Sequence, residues 1–135
     1  MIVTIHQPDF LPWLGFFDRW SKSDIYIILD DVQFLRRGWH NRDKIKTPHG
    51  IQWLTVPVCK KGKYNQLIRN VKIDNSTSWR QAHLKTIELN YKKAPNFNYC
   101  FKKIAGIYNR EYSFLIDLNI DLLNFAASEF GISTP

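Results

Sequence analysis

The sequence predicts an α/β fold: a three-layer-like, open and largely parallel sheet, joined to an antiparallel basic hairpin and C-terminal helices. Three observations lead there. Two short β-branched apolar runs, Ile2 to Ile5 and Ile25 to Leu29, each end abruptly in polar, ionisable residues and flank an aromatic helical stretch. Two strand-like segments, the first of them strongly basic, bracket the turn signal Thr47-Pro48-His49-Gly50. From Ser78 onward, apolar residues recur at helical spacing.

Each element has its own justification. Ile2-Val3-Thr4-Ile5 has the β-branched density of a buried strand, and Pro8 and Pro12 close it off. Pro12 suits the first position of a helix, where its missing N–H costs nothing. That helix carries Trp13, Leu14, Phe16, Phe17 and Trp20 as far as Ser21 or Lys22. Ile25-Tyr26-Ile27-Ile28-Leu29 is the second strand. Strand, helix and strand within about 30 residues argue a right-handed parallel crossover.

Asp30 to Arg37 reads as a polar loop. Trp39 to Lys46 and Ile51 to Val58 pair as the hairpin, with Pro57 at a strand end. Lys60-Lys61-Gly62-Lys63 is an exposed loop, and Leu67 to Ile73 reads as a further strand. Trp79, Ala82, His83, Thr86, Ile87 and Asn90 mark a helix that begins after Asn75-Ser76-Thr77 and is broken by Pro95. Phe97 to Tyr108 is a second helix. Leu115, Leu118, Leu122, Phe125 and Ala126 mark a third, capped by Gly131. Ile132-Ser133-Thr134-Pro135 stand where a new strand would begin, so a longer design or a partner chain completing the sheet is expected.

Composition narrows the function. A chain of 135 residues is one domain with room for a core. Its 44% hydrophobic and 15% aromatic content excludes a disordered protein. The net charge of +7 favours anionic partners, and Asp43 is the only acid between Phe34 and Lys72. Cys59 and Cys100 are solitary and read as reduced thiols of a cytoplasmic protein. The apolar stretch from Phe114 to Phe130 is interrupted by Asp117, Asn119, Asp121 and Asn124, which argues against a membrane span. No phosphate loop, dinucleotide fingerprint or serine nucleophile elbow is present, and the histidines show no metal spacing, so no metal ligand is assigned and the cofactor stays open.

The strand ends carry the candidate chemistry. Ligands of open α/β sheets sit beyond the carboxyl ends of the strands. There the sequence sets His6 and Gln7 after one strand, and Asp30 and Asp31 after the next. His6 is the candidate general base; Asp30 or Asp31 would orient it or bind a cation. Arg36, Arg37, Arg42 and Lys46 suit a diphosphate or carboxylate, and Trp39 can stack on a base or sugar face. An alternative is a nucleic-acid-binding module built on the basic, aromatic-interleaved stretch from Arg36 to Trp53.

Taken together, His-Gln-Pro-Asp-Phe-Leu-Pro-Trp-Leu-Gly-Phe-Phe-Asp, Leu-Asp-Asp-Val-Gln-Phe, Trp-His-Asn-Arg-Asp-Lys-Ile-Lys-Thr and Trp-Leu-Thr-Val-Pro-Val form a combination that resembles the WbqC-like family of bacterial proteins. That resemblance implies a setting in surface polysaccharide and O-antigen synthesis, and work on nucleotide-linked or otherwise activated sugars by a sugar-modifying transferase. By position it adds Trp13, Gln33 and Asn41 to the substrate-binding candidates. The family commonly continues with a comparable second stretch. Residues 1–135 are therefore expected to be one WbqC-like α/β domain without the family's C-terminal half, either as part of a transferase or as a non-catalytic subunit supplying half a site. The expected partner is an anionic small molecule such as a nucleotide sugar.

Overall fold

The computed structural model describes residues 1–135. Val3–His6 (β1) and Ile25–Ile28 (β2) pair in parallel, in register from Val3 opposite Ile25 to His6 opposite Ile28. Leu14–Ser21 (α1) crosses between them. Strand alternation turns Thr4, His6, Tyr26 and Ile28 inward and leaves Val3, Ile5, Ile25 and Ile27 exposed. The inner face packs under α1, where Phe16, Phe17 and Trp20 are buried against Tyr26. The parallel part of the architecture is this single pair of strands.

Arg42–Thr47 (β3) and Gly50–Thr55 (β4) form the expected antiparallel hairpin as a second, separate sheet. Its turn closes through the Thr47 hydroxyl, which donates to the Gly50 carbonyl at 2.9 Å and accepts the His49 N–H at 3.2 Å. Gly50 sits at φ 116°, a backbone conformation that favours glycine. Trp79–Tyr91 (α2), Phe97–Tyr108 (α3) and Leu115–Glu129 (α4) follow. The main core lies among the hairpin, these helices and the loops between them, around Phe10, Val56, Ile68, Tyr108, Leu118 and Leu122. Each large side chain buried there contributes about 1.5–3 kcal/mol.

Helix α4 joins the two halves. Leu118 and Leu122 enter the main core, whereas Leu123 and Ala127 pack against Phe16 and Phe17 of α1. Asn119, fully buried on the same helix, donates to the Pro8 carbonyl at 3.0 Å and the His40 carbonyl at 2.8 Å. Its end is the expected glycine cap: the Gly131 N–H reaches the Ser128 carbonyl and the Ile132 N–H reaches that of Ala127, with Gly131 at φ 68°.

Two expectations are corrected. Leu67 to Ile73 is not a strand. It holds a 3₁₀ turn at Ile68–Asn70 with single bridges from Leu67 to Gln33, Ile73 to Val58 and Lys72 to Phe114. Three partners with one bridge each leave no continuous ladder, and Ile68, Val71 and Ile73 are all buried, which erases the alternation of a strand. Helix α1 starts at Leu14 rather than at Pro12, because Trp13 is extended at φ −65°, ψ 163°.

Candidate functional site

His6 ends β1, and the Leu29 N–H donates to its carbonyl at 2.8 Å. The carboxyl ends of the two strands therefore adjoin, the geometry that places a crevice at their tips. His6 Nδ1 lies 2.8 Å from the Gln7 carbonyl. A carbonyl only accepts, so Nδ1 is the donor, and in the neutral ring Nε2 is the nitrogen that keeps its lone pair. The ring stands edge-on to Phe16, with centroids 4.8 Å apart.

Gln7 Oε1 meets His40 Nε2 at 2.7 Å, and the Leu35 N–H points at His40 Nδ1 from 3.4 Å. His40 is thus held as a neutral ring with its proton on Nε2. Burial, with a smaller contribution from His6, lowers its pKa below the usual histidine value. Gln7 and His40 lock the loop after β1 onto the segment leading into the hairpin, and the Phe10 N–H to Trp39 carbonyl bond, 3.0 Å, does the same.

That lock shapes a cavity of about 270 Å³ lined by Asp9, Pro12, Trp13, Trp39 and Asp43. Asp9 and Trp13 come from the loop after β1, which turns through Leu11 at φ 45°. That left-handed conformation costs a leucine about 1–2 kcal/mol. Trp39 comes from the segment before the hairpin and Asp43 from β3. Burial raises the Asp9 carboxyl above its usual value; His6 and Arg19 pull it down and Asp43 pushes it further up. Burial also raises Asp43, against the Lys44 N–H, which donates to its Oδ1 at 2.6 Å, and the Lys44 charge. Two carboxylates that accept hydroxyl hydrogen bonds, facing two indoles that stack on apolar ring faces, are the groups that hold a sugar.

The outer face of the hairpin carries cations on rings. Trp39 and Trp53 stack with centroids 5.6 Å apart. The Arg42 guanidinium lies 4.4 Å from the Trp53 centroid, and Lys44 Nζ lies 5.0 Å from Trp53 and 5.8 Å from Trp39. Trp39 therefore belongs both to the acidic cavity and to this cationic ladder. The inner face of the hairpin, with Ile45 and Leu54, opens instead on a cavity of about 390 Å³ lined almost wholly by apolar side chains of Leu11, α2 and α3. That space offers few groups to a sugar hydroxyl.

The structure brings together only some of the residues read from the sequence. His6, Gln7, Trp13 and Trp39 gather at the strand tip and cavity, with Arg42 beside them. Arg36 and Gln33 turn toward the 60–65 loop: Arg36 donates to the Lys60 carbonyl at 3.1 Å and lies over the Tyr64 ring, and Gln33 reaches the Tyr64 carbonyl at 3.4 Å. Arg37 is exposed, its carbonyl accepting from Arg42 at 2.8 Å. Asn41 is buried and donates to the Val56 carbonyl at 2.9 Å. Lys46 is exposed further along β3, where its N–H donates to the Tyr91 hydroxyl at 3.1 Å. Asp30 is half-buried and Asp31 exposed, and neither forms an ion pair. The Gln7 carbonyl, not Asp30 or Asp31, meets the His6 ring proton.

Asp9 and Asp43 were missed from sequence. Asp9 sits inside the quoted His-Gln-Pro-Asp run and Asp43 is the lone acid of the basic segment, so each carried a signal; their facing one cavity did not.

Fold and site together define a small α/β protein with an acid- and indole-lined cavity beside its parallel strand tips. The chain belongs to the WbqC-like protein family, which it matches over residues 7–135. It is 44% identical over 133 residues to "Uncharacterized protein Rv1507c" of Mycobacterium tuberculosis (strain ATCC 25618 / H37Rv), an alignment spanning 98% of this chain and 57% of that protein. No solved structure matches it.

Proposed function

We propose that the protein binds an activated, nucleotide-linked sugar and serves, alone or as part of a larger transferase, in modifying that sugar for surface polysaccharide or O-antigen synthesis. The cavity that shares Trp39 with the cationic ladder carries this reading. The sugar lies between Trp13 and Trp39 with its hydroxyls on Asp9 and Asp43. The diphosphate lies outward toward Arg42 and Lys44, since guanidinium and ammonium groups hold phosphate oxygens. His6 Nε2, free to accept a proton, takes one from the sugar hydroxyl or amine as that group bonds to the transferred group of an activated donor and the donor's activating group departs with the bonding electrons.

Thermal shift against nucleotide sugars, the matching free nucleotides and short single-stranded nucleic acids tests the reading. A nucleotide sugar is expected to raise the melting temperature more than its free nucleotide. Asp9→Asn and Trp13→Ala should abolish that difference while leaving the nucleotide response. Equal responses in the wild type would refute the sugar pocket. Once a substrate is in hand, unchanged turnover by His6→Ala would remove the base from the scheme.

A second reading has its own observation. The exposed Arg42, Lys44, Trp39 and Trp53 ladder is also a stacking platform for bases. Binding by a nucleic-acid module falls steeply with salt, because several phosphates are neutralised at once. Single-site nucleotide-sugar binding falls less.

A further inference from the structure

The parallel sheet is covered on one side only. Helices α1 and α4 pack on the face of Tyr26. The other face presents Val3, Ile5, Ile25 and Ile27 at between 40% and 57% exposure, with no charged side chain from either strand among them. Parallel strands are normally buried on both faces and read as continuous apolar runs for that reason. A two-stranded sheet is marginal by itself. The outer edge of β2 has no lysine or proline within the strand itself to protect it.

That edge is already partly occupied. The Tyr26 N–H, on the side of β2 away from β1, donates to the Pro135 carbonyl at 2.8 Å. The Thr134 hydroxyl donates to the Ser23 carbonyl at 3.0 Å, and Trp20 Nε1 donates to the Thr134 carbonyl at 3.2 Å. Residues 134 and 135 thus advance along β2 in its own direction, from Ser23 toward Tyr26. By strand alternation, the Ile28 N–H and carbonyl face the same edge.

We propose that this face and edge are the docking surface for polypeptide equivalent to the part of the mycobacterial relative outside the matched stretch. It would lie as a strand parallel to β2, with an apolar cover over Ile5 and Ile27. Two observations select that occupant. The matched stretch makes up only 57% of the relative, so family members include polypeptide in excess of this domain. The tail already follows the line such a strand would take.

The test co-expresses the 135-residue chain with the part of the relative outside the matched stretch and reads the mass of the complex by size exclusion with light scattering. The expected result is a one-to-one complex in which this chain melts several degrees higher than alone. An Ile5→Lys, Ile27→Lys variant should keep the melting temperature of the free chain, since both side chains face solvent, and lose the complex. A wild-type chain that stays monomeric beside the co-expressed polypeptide overturns the proposal, as does a complex that survives both lysines. A homodimer that the lysines dissolve also overturns it, and makes a second copy the occupant.

Discussion

The two sheets differ in how each satisfies its faces. The parallel pair β1–β2 has an aromatic layer on one side and bare isoleucines and valine on the other. The hairpin β3–β4 has Leu54 in the core on one side and a cationic, indole-bearing ladder on the other. An antiparallel hairpin can end at water because alternation supplies polar residues for the outer face. The parallel pair turns only Val3, Ile5, Ile25 and Ile27 to its other face and has no polar residue there to meet water. The hairpin is complete in itself; the parallel pair is complete only when something covers it.

Substitutions across the two sheets sharpen or break that contrast. The largest effect is expected for Phe16→Ala, which empties the centre of the aromatic layer and should cost about 3–5 kcal/mol in urea unfolding. Asn119→Ala should cost about 1–3 kcal/mol, because it strips buried carbonyls of Pro8 and His40 of their donor. It should also loosen the acidic cavity, read as weaker nucleotide-sugar binding at a temperature where the variant is folded. Trp53→Ala, on the exposed ladder, should cost about 1 kcal/mol from lost cation–ring contact. Ile27→Thr on the bare face should change stability by less than about 0.5 kcal/mol. A cost for Ile27→Thr near that of Phe16→Ala would mean the bare face is covered in solution.

Titration separates the cavity from the core. Burial raises the carboxyl pKa values of Asp9 and Asp43, so the folded state binds their protons more tightly than the unfolded chain. Their contribution to stability is full below the unfolded carboxyl value of 3.8 and is lost as pH rises through the folded values. Asp9→Asn should therefore melt higher than wild type at neutral pH, the advantage fading toward pH 3.8. His40 and His83 behave oppositely. Burial lowers both, so stability is full above 6.5 and is lost as pH falls through their folded values. Differential scanning calorimetry across this range measures both arms.

Much of the fold was legible because it rests on local signals. The crossover followed from two β-branched runs around an aromatic helix, the hairpin from Thr47 to Gly50, and the α4 cap from Gly131. The segment from Leu67 to Ile73 was not legible, since a short apolar run threading the core has no periodicity to separate bridge from ladder. At the candidate site, strand ends and the family pattern single out His6, Gln7 and Trp13, and the aromatic-interleaved basic segment singles out Trp39; the structure places these four near one another. The pairing of Asp9 with Asp43 depends on the Gln7–His40 bond and the donors of Asn119, contacts between residues 33 to 111 positions apart. The basic residues looked like one clamp in sequence, yet Arg36 and Arg42 part company because each finds a different ring.

Gly15 has a consequence of another kind. A Cβ built there would lie 2.1 Å from the far edge of the Trp13 indole, so a side chain at 15 would displace that exposed ring rather than strain the backbone. The two positions are then epistatic. In a saturation scan read by nucleotide-sugar binding, alanine at 15 should weaken binding by moving the Trp13 ring out of the cavity wall, and should have no further effect once Trp13 is a small residue. The pair should drift through evolution together, as one inherited unit of the cavity wall.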